Sequence, residues 1–156
     1  MLKSGLLPYG NFEDATETSP TLFYNDADQH VAKMVETRIA NTNSPWLAGV
    51  EVGDVYAIPV SHGEGKFVVT DEEFAELRDN GQIFSQYVDF DGKPSMDSKY
   101  NPNGSVNAIE GITSKNGQII GKMGHSERYE DGLFQNIPGN KDQHLSVAQL
   151  SVSLKA

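Results

Sequence analysis

The sequence predicts an α/β fold: a sheet with one internal helix, its first strands absent. Three observations predict it. Apolar residues recur in strand-like runs from residue 31 to residue 123, with one well-capped helix between them. The chain opens on the end of a helix without its beginning. Finally, Met123-Gly124-His125-Ser126-Glu127-Arg128 sets a histidine and a carboxylate just after an apolar strand. Open α/β sheets gather their sites beyond strand ends in this way.

Taken in order, Leu2, Leu6 and Leu7 around Gly5, then Pro8 and Gly10, read as a last helical turn, its glycine cap and an exit loop. Asn11 to Asn25 is rich in Asp, Glu, Thr, Ser and Pro and reads as loop. His30 to Asn41 alternates Val31, Lys33, Val35, Thr37 and Ile39 against Ala32, Met34, Glu36 and Arg38, a strand pattern. Asn41 to Leu47 is turn chemistry around Trp46, and Val55 to Val60 is a second strand. Ser61-His62-Gly63-Glu64-Gly65 follows as a tight glycine-flanked loop, and Lys66 to Val69 resumes as strand. Thr70 with Glu73 makes a capping box for a helix over Asp71 to Asp79, closed by Asn80-Gly81. Its apolar side is Phe74 and Leu77, and its charged residues face water. Ile83 to Phe90 is a strand ending in an Asp91-Gly92 turn. Ser95 to Asn107 is polar, with a rigid loop at Asn101 to Ser105. Ile109 to Thr113 and Gln118 to Met123, joined through Lys115-Asn116-Gly117, form a hairpin whose second strand delivers His125.

Composition narrows the function. At 156 residues the chain is one domain by length, and 37% hydrophobic residues with 15 glycines are those of a folded protein. Twelve basic against 22 acidic residues give a net charge of −10, which repels phosphate backbones and anionic lipids. Nucleic acid and membrane are therefore not expected partners. No run approaches the roughly 20 apolar residues of a membrane span, and Met1 to Gly5 is too short and polar to open a signal peptide, so the expected location is cytoplasmic. Zero cysteines removes disulfides, zinc ribbons and thiol catalysis from within these residues.

That absence sharpens the reading of His125 and Glu127. In extended backbone, residues i and i+2 project to one side about 6.6 Å apart. Glu127 can then hold one ring nitrogen of His125 while the other faces a nucleophile, the base-and-orienter half of a triad. His62 and Glu64 repeat the spacing, so His62, Glu64, His125 and Glu127 together offer a two-histidine, two-carboxylate metal site. Gly63 and Gly65 argue instead that this loop is kept for its backbone shape. Ser44-Pro45-Trp46 either shapes a substrate pocket or packs a loop. Ser61 and Ser105 lie in no Gly-x-Ser-x-Gly elbow. His30 and His144 show no partner in the sequence and read as ordinary.

Five segments in order then carry a resemblance: Lys3 to Gly10, Asn41 to Trp46, Pro59 to Gly65, Asn101 to Ser105, and Gly124 to Arg128. Together they resemble the glutaminase domain of phosphoribosylformylglycinamidine synthase, across about residues 1 to 145. The resemblance implies a partial class I glutamine amidotransferase domain, flavodoxin-like and three-layered, lacking its first strands and nucleophile elbow. It implies that a cysteine in a Gly-x-Cys-Asn-Gly-like turn attacks the glutamine side-chain amide, that His125 activates the thiol, and that Glu127 orients His125. Ser44, Pro45 and Trp46 are the candidate substrate-binding residues, placed either to shape the glutaminase pocket or to pack a loop. Glutamine and the synthetase domain are the partners, and ATP and Mg are used in the synthetase part, with no metal or other cofactor in this chain. The cysteine would lie just upstream of Lys3, so Met1 reads as an internal methionine of the elbow helix. Residues 146–156 depart from the family as a divergent tail.

On this reading the polypeptide alone is inactive, marginally stable or associating, with an edge and an apolar face exposed. Two alternatives differ in class: a non-catalytic module that docks on a synthetase subunit, and a metal-binding hydrolase built on His62, Glu64, His125 and Glu127.

Overall fold

The computed structural model describes residues 1–128, so the expected tail at 146–156 and His144 lie outside the described residues. Among the described residues, seven strands and one α-helix follow in the order β1 (Thr21–Phe23), β2 (Val31–Ile39), β3 (Val55–His62), β4 (Lys66–Val68), α1 (Asp71–Asp79), β5 (Ile83–Val88), β6 (Ile109–Thr113) and β7 (Ile120–Lys122). A five-stranded sheet has the order β3-β2-β5-β6-β7, and β1 pairs with β4 as a separate ribbon. All these pairings are antiparallel.

Local chemistry accounts for the elements the sequence made legible. Helix α1 opens where the Thr70 side chain accepts the Glu73 N–H at 3.2 Å. Three acidic residues sit in its first turn, where the positive end of the helix dipole favours them. Leu77 is its buried contact with the core, as expected. The helix end predicted at the start is a single 3₁₀ turn, Leu2–Ser4, capped by Gly5 in the left-handed region at φ 80°. The β6–β7 hairpin turns through Gly117 at φ 69°, close against the Asn43 and Ser44 backbone.

Three expectations need correction. Thr21–Phe23, read as loop, is strand β1, paired through Leu22↔Phe67. Three residues are too few to show a period, and only the β4 partner makes them a strand. Ser61 and His62, read as loop, extend β3, where Val31↔His62 closes the register with β2. Strand β7 is shorter than the predicted run, because Ser114 and Asn116 side chains accept the Ile119 and Gln118 N–H groups and keep both residues in the turn.

The described residues form three core clusters. Leu77 of α1 packs with Leu7, Phe67, Ile83, Ile109 and Ile112. Phe84 packs with Ile39, Leu47, Val50 and Tyr56, and Tyr87 with Val35, Ile58, Val60 and Ala108. Two features of the sheet matter for the site. Ser85 and Gln86 are consecutive on β5 but pair with Gly111 and Ile109, so Glu110 is the extra residue of a bulge. After β7 the chain also crosses back to the opposite edge strand, where the His125 N–H bonds the Pro59 carbonyl of β3 at 2.9 Å. The sheet is thereby curled, and the segment carrying His125 bridges its two edges.

Candidate active site

His125 sits where that bridging segment turns. Its Nδ1 lies 2.7 Å from Glu127 Oε1. An ionised carboxylate only accepts, so Nδ1 carries the hydrogen and donates to Glu127, and in the neutral ring Nε2 is then the nitrogen that keeps a lone pair. Nε2 is buried and has no hydrogen-bond partner among the described residues. The pair forms as the sequence predicts, but by a different route. Ser126–Arg128 is a 3₁₀ turn, closed by the Arg128 N–H on the His125 carbonyl at 3.1 Å, so the two side chains meet by winding rather than along extended backbone. Burial alone would raise the Glu127 carboxyl. Its own backbone N–H, the bond from His125 and the charges of His125 and Arg128 outweigh that and hold it below the ordinary carboxylate range.

The ring of His62 stacks on that of His125, with centroids 4.8 Å apart and planes 11° from parallel. Burial lowers the His62 pKa first, and the neighbouring His125, His30 and Arg128 charges lower it further against the opposing pull of Glu110. This stack also answers the metal reading. Imidazole lone pairs lie in the ring plane, so two parallel rings do not converge on one ion, and Nδ1 of His125 is taken by Glu127. No group of three or more His, Asp or Glu among the described residues could hold a metal ion. The hydrolase built on His62, Glu64, His125 and Glu127 is therefore set aside.

The loop carrying His62 is fixed from an unexpected place. Buried Asn25 donates Nδ2 to the Gln29 carbonyl at 3.0 Å and to the His62 carbonyl at 2.6 Å, and its Oδ1 accepts the Gly65 N–H at 3.0 Å. A Cβ on Gly65 would collide with the Asn103 carboxamide, so Gly65 is there for close approach, whereas a Cβ on Gly63 would meet nothing within 4 Å. Ser105 Oγ accepts the Phe67 N–H and Asn101 bonds both backbone groups of Ser105, so the 101–105 loop is a structural clamp. His30, read as ordinary, is paired: its Nε2 lies 3.0 Å from Ser61 Oγ.

Ser44, Pro45 and Trp46 are elsewhere. Ser44 Oγ donates to the Gly117 carbonyl at 2.6 Å, Pro45 opens a 3₁₀ turn, and Trp46 Nε1 donates to the Gln118 carbonyl at 2.8 Å. These partners belong to the β6–β7 turn, at the other end of β7 from His125. They share no hydrogen bond with the His125–Glu127 pair.

Beside the site, an apolar cleft of about 400 Å³ is lined by residues including Leu7, Leu22, Phe67, Glu64, Glu110 and Lys122. Glu110 accepts the Gly124 N–H at 2.7 Å and the Ser85 hydroxyl, and Lys122 donates to Ser126 Oγ at 3.1 Å. Burial pushes the Lys122 ammonium pKa down, against Glu110 and Glu127, which raise it. The sequence reading missed Asn25, Glu110 and Lys122. A carboxylate between Ile109 and Ile112 was the one available signal, and Asn25 gave none.

Comparison with known proteins places this geometry. Residues 1–152 match the family of CobB/CobQ-like glutamine amidotransferase domains. The phosphoribosylformylglycinamidine synthase subunit PurQ of Thermomicrobium roseum is 36% identical over 134 residues, 86% of this chain and 55% of that protein. The same subunit of Aquifex aeolicus is 37% identical over 109 residues, 70% of this chain and 47% of that protein. The solved structure of PurLQS from Thermotoga maritima superposes with a TM-score of 0.53 at 26% identity, over 69% of this chain and 42% of that one. The chain spans about half the length of the curated relatives it matches.

Proposed function

The chain belongs to the CobB/CobQ-like glutamine amidotransferase family, with the mixed α/β fold of a class I amidotransferase, and on that premise we propose that it carries the base and orienting carboxylate of a glutaminase. The observation that supports this best is the His125–Glu127 pair. It leaves Nε2 buried and without a hydrogen-bond partner among the described residues, in a sequence with no cysteine to face it. These 156 residues hold no cysteine, so this reading takes its nucleophilic thiol from outside them, in the Gly-x-Cys-Asn-Gly-like turn that the family resemblance implies. His125 Nε2 takes the thiol proton as sulfur attacks the amide carbon of the glutamine side chain. The same proton then passes to the departing nitrogen, which leaves as ammonia, and water releases glutamate from the thioester. Glu127 holds the ring in the Nδ1–H tautomer throughout.

The names of the relatives support a role in formylglycinamide ribonucleotide amidation, the ammonia passing to a synthetase subunit that is this chain's natural partner. ATP and Mg belong to that subunit. For Ser44, Pro45 and Trp46 the loop-packing reading is the better supported, because their polar groups are spent on the β6–β7 turn.

Loss of a triad nucleophile costs on the order of 10⁶ in rate, so the purified chain releases no measurable ammonia from glutamine. Supplying the cysteine-bearing segment and the synthetase restores release, and His125→Ala in that complex abolishes it. Steady ammonia release by the chain alone, lost in His125→Ala, would overturn the external thiol. Full activity of His125→Ala in the complex would overturn the base assignment.

A further inference from the structure

Glu110 is a carboxylate inside an apolar strand, its side chain fully buried, and no step of the proposed reaction uses it. The bulge explains its direction. As the extra residue opposite Ser85 and Gln86 it has no pairing partner on β5, although its carbonyl still accepts the Met123 N–H at 3.1 Å, and a bulge re-aims the side chain it carries. Glu110 is aimed under the turn that presents His125. There Oε1 accepts the Gly124 N–H at 2.7 Å, Oε2 accepts the Ser85 hydroxyl, and the Lys122 ammonium stands 3.9 Å from Oε1. Lys122 in turn donates to Ser126 Oγ. Gly124 and Ser126 are the two neighbours of His125, and both are held from one buried charge pair.

Position 124 is shaped for this contact. A Cβ there would stand 2.6 Å from Ile58 Cδ1 and 2.9 Å from Glu110 Oε1, so only glycine lets the backbone N–H reach the carboxylate. Burying two charges is a poor route to stability, since desolvation cancels most of their attraction, and apolar replacement of both is often neutral. What the pair supplies here is a fixed position for a backbone amide.

We propose that Glu110 is a positioning residue for His125, clamping the Gly124 amide so that the ring keeps Nδ1–H on Glu127 and Nε2 turned to the thiol. The proposal rests on the reading of His125 as the base. It is tested on the full chain by NMR: amide hydrogen exchange at Gly124, and ring nitrogen shifts of His125, which report its tautomer. Exchange at Val88 serves as the core reference.

In Glu110→Met with Lys122→Met, which removes both charges and keeps the volume, Gly124 exchange rises at least tenfold relative to Val88. The His125 ring also drifts toward the Nε2–H tautomer that free histidine prefers. Glu110→Gln, which keeps an acceptor oxygen, holds both readouts within about twofold of the parent. Parent-like behaviour of the double variant overturns the proposal. So does a Glu110→Gln variant as perturbed as the double one, and so does failure of the double variant to fold, which would make the pair a stability element. These readouts are hydrogen bonds and tautomers, not turnover. A failed clamp leaves the base assignment standing, and a base assignment lost by assay leaves the clamp measurable.

Discussion

Truncating Asn25 tests how the site loop is built. The side chain is 1% exposed and makes three hydrogen bonds, to the Gln29 and His62 carbonyls and from the Gly65 N–H. Asn25→Ala removes all three of these bonds, while the Asn25 backbone N–H keeps its bond to the Gly63 carbonyl. A net value of about 1 kcal/mol per bond gives a loss of about 3 kcal/mol. Glu64, on the same loop, is exposed, so water can reach it, and the larger penalty of dry unsatisfied groups does not apply in full. With a urea slope of about 2 kcal/mol/M, the midpoint falls by about 1.5 M at unchanged slope. The single tryptophan, Trp46, bonds the β6–β7 turn rather than any partner of Asn25 and reports global unfolding by fluorescence. Asn25→Asp is at least as damaging, because a carboxylate turns an acceptor toward both carbonyls. In the folded variant the His62–His125 stack loosens, and the ring proton shifts of both histidines move. An Asn25→Ala chain within about 0.5 kcal/mol of the parent, less than one net hydrogen bond, would refute this reasoning.

Packing and charge set three further outcomes. A Cβ at Gly111 would run into the ring of Phe84 and stand 2.7 Å from Ser85 Oγ, and both residues are 1% exposed. Gly111→Ala therefore overpacks the sheet by about 2 kcal/mol and lowers Tm by about 4–8 °C, read in a thermal melt; an unchanged Tm would mean the strands part freely there. The His62 pKa is lowered on folding, so the unfolded chain binds the proton first. The stability carried by neutral His62 is complete above about pH 6.5 and is lost as pH falls through its lowered folded value. Urea midpoints between pH 8 and pH 5 drop less for His62→Phe, which keeps a stacked ring, than for the parent. Equal drops would show that His62 does not titrate against folding. The contribution of Glu127 lies in a separate window. Its lowered carboxyl adds stability above about pH 4.5 that is lost only as pH falls further.

Features settled within a few residues were legible in the sequence. Thr70 caps α1 because Glu73 is three residues on, Gly5 ends its turn because only glycine takes φ 80° freely, and Gly117 turns the β6–β7 hairpin for the same reason. The His125–Glu127 pair is equally local, and the sequence named both residues although it mistook the backbone path between them. The ordered motifs from Lys3 to Arg128 also placed the chain in its family, through residue identities that need no coordinates. Tertiary structure alone decided the rest. Strand β1 exists because β4 pairs with it, His62 faces His125 because the segment after β7 crosses to β3, and Asn25 holds a loop about 40 residues away. Glu110 reaches Gly124 only because the β5–β6 register slips by one residue. Each of these depends on bringing distant segments together, at a cost in chain entropy that only the assembled core offsets, so no short window of sequence contains its cause.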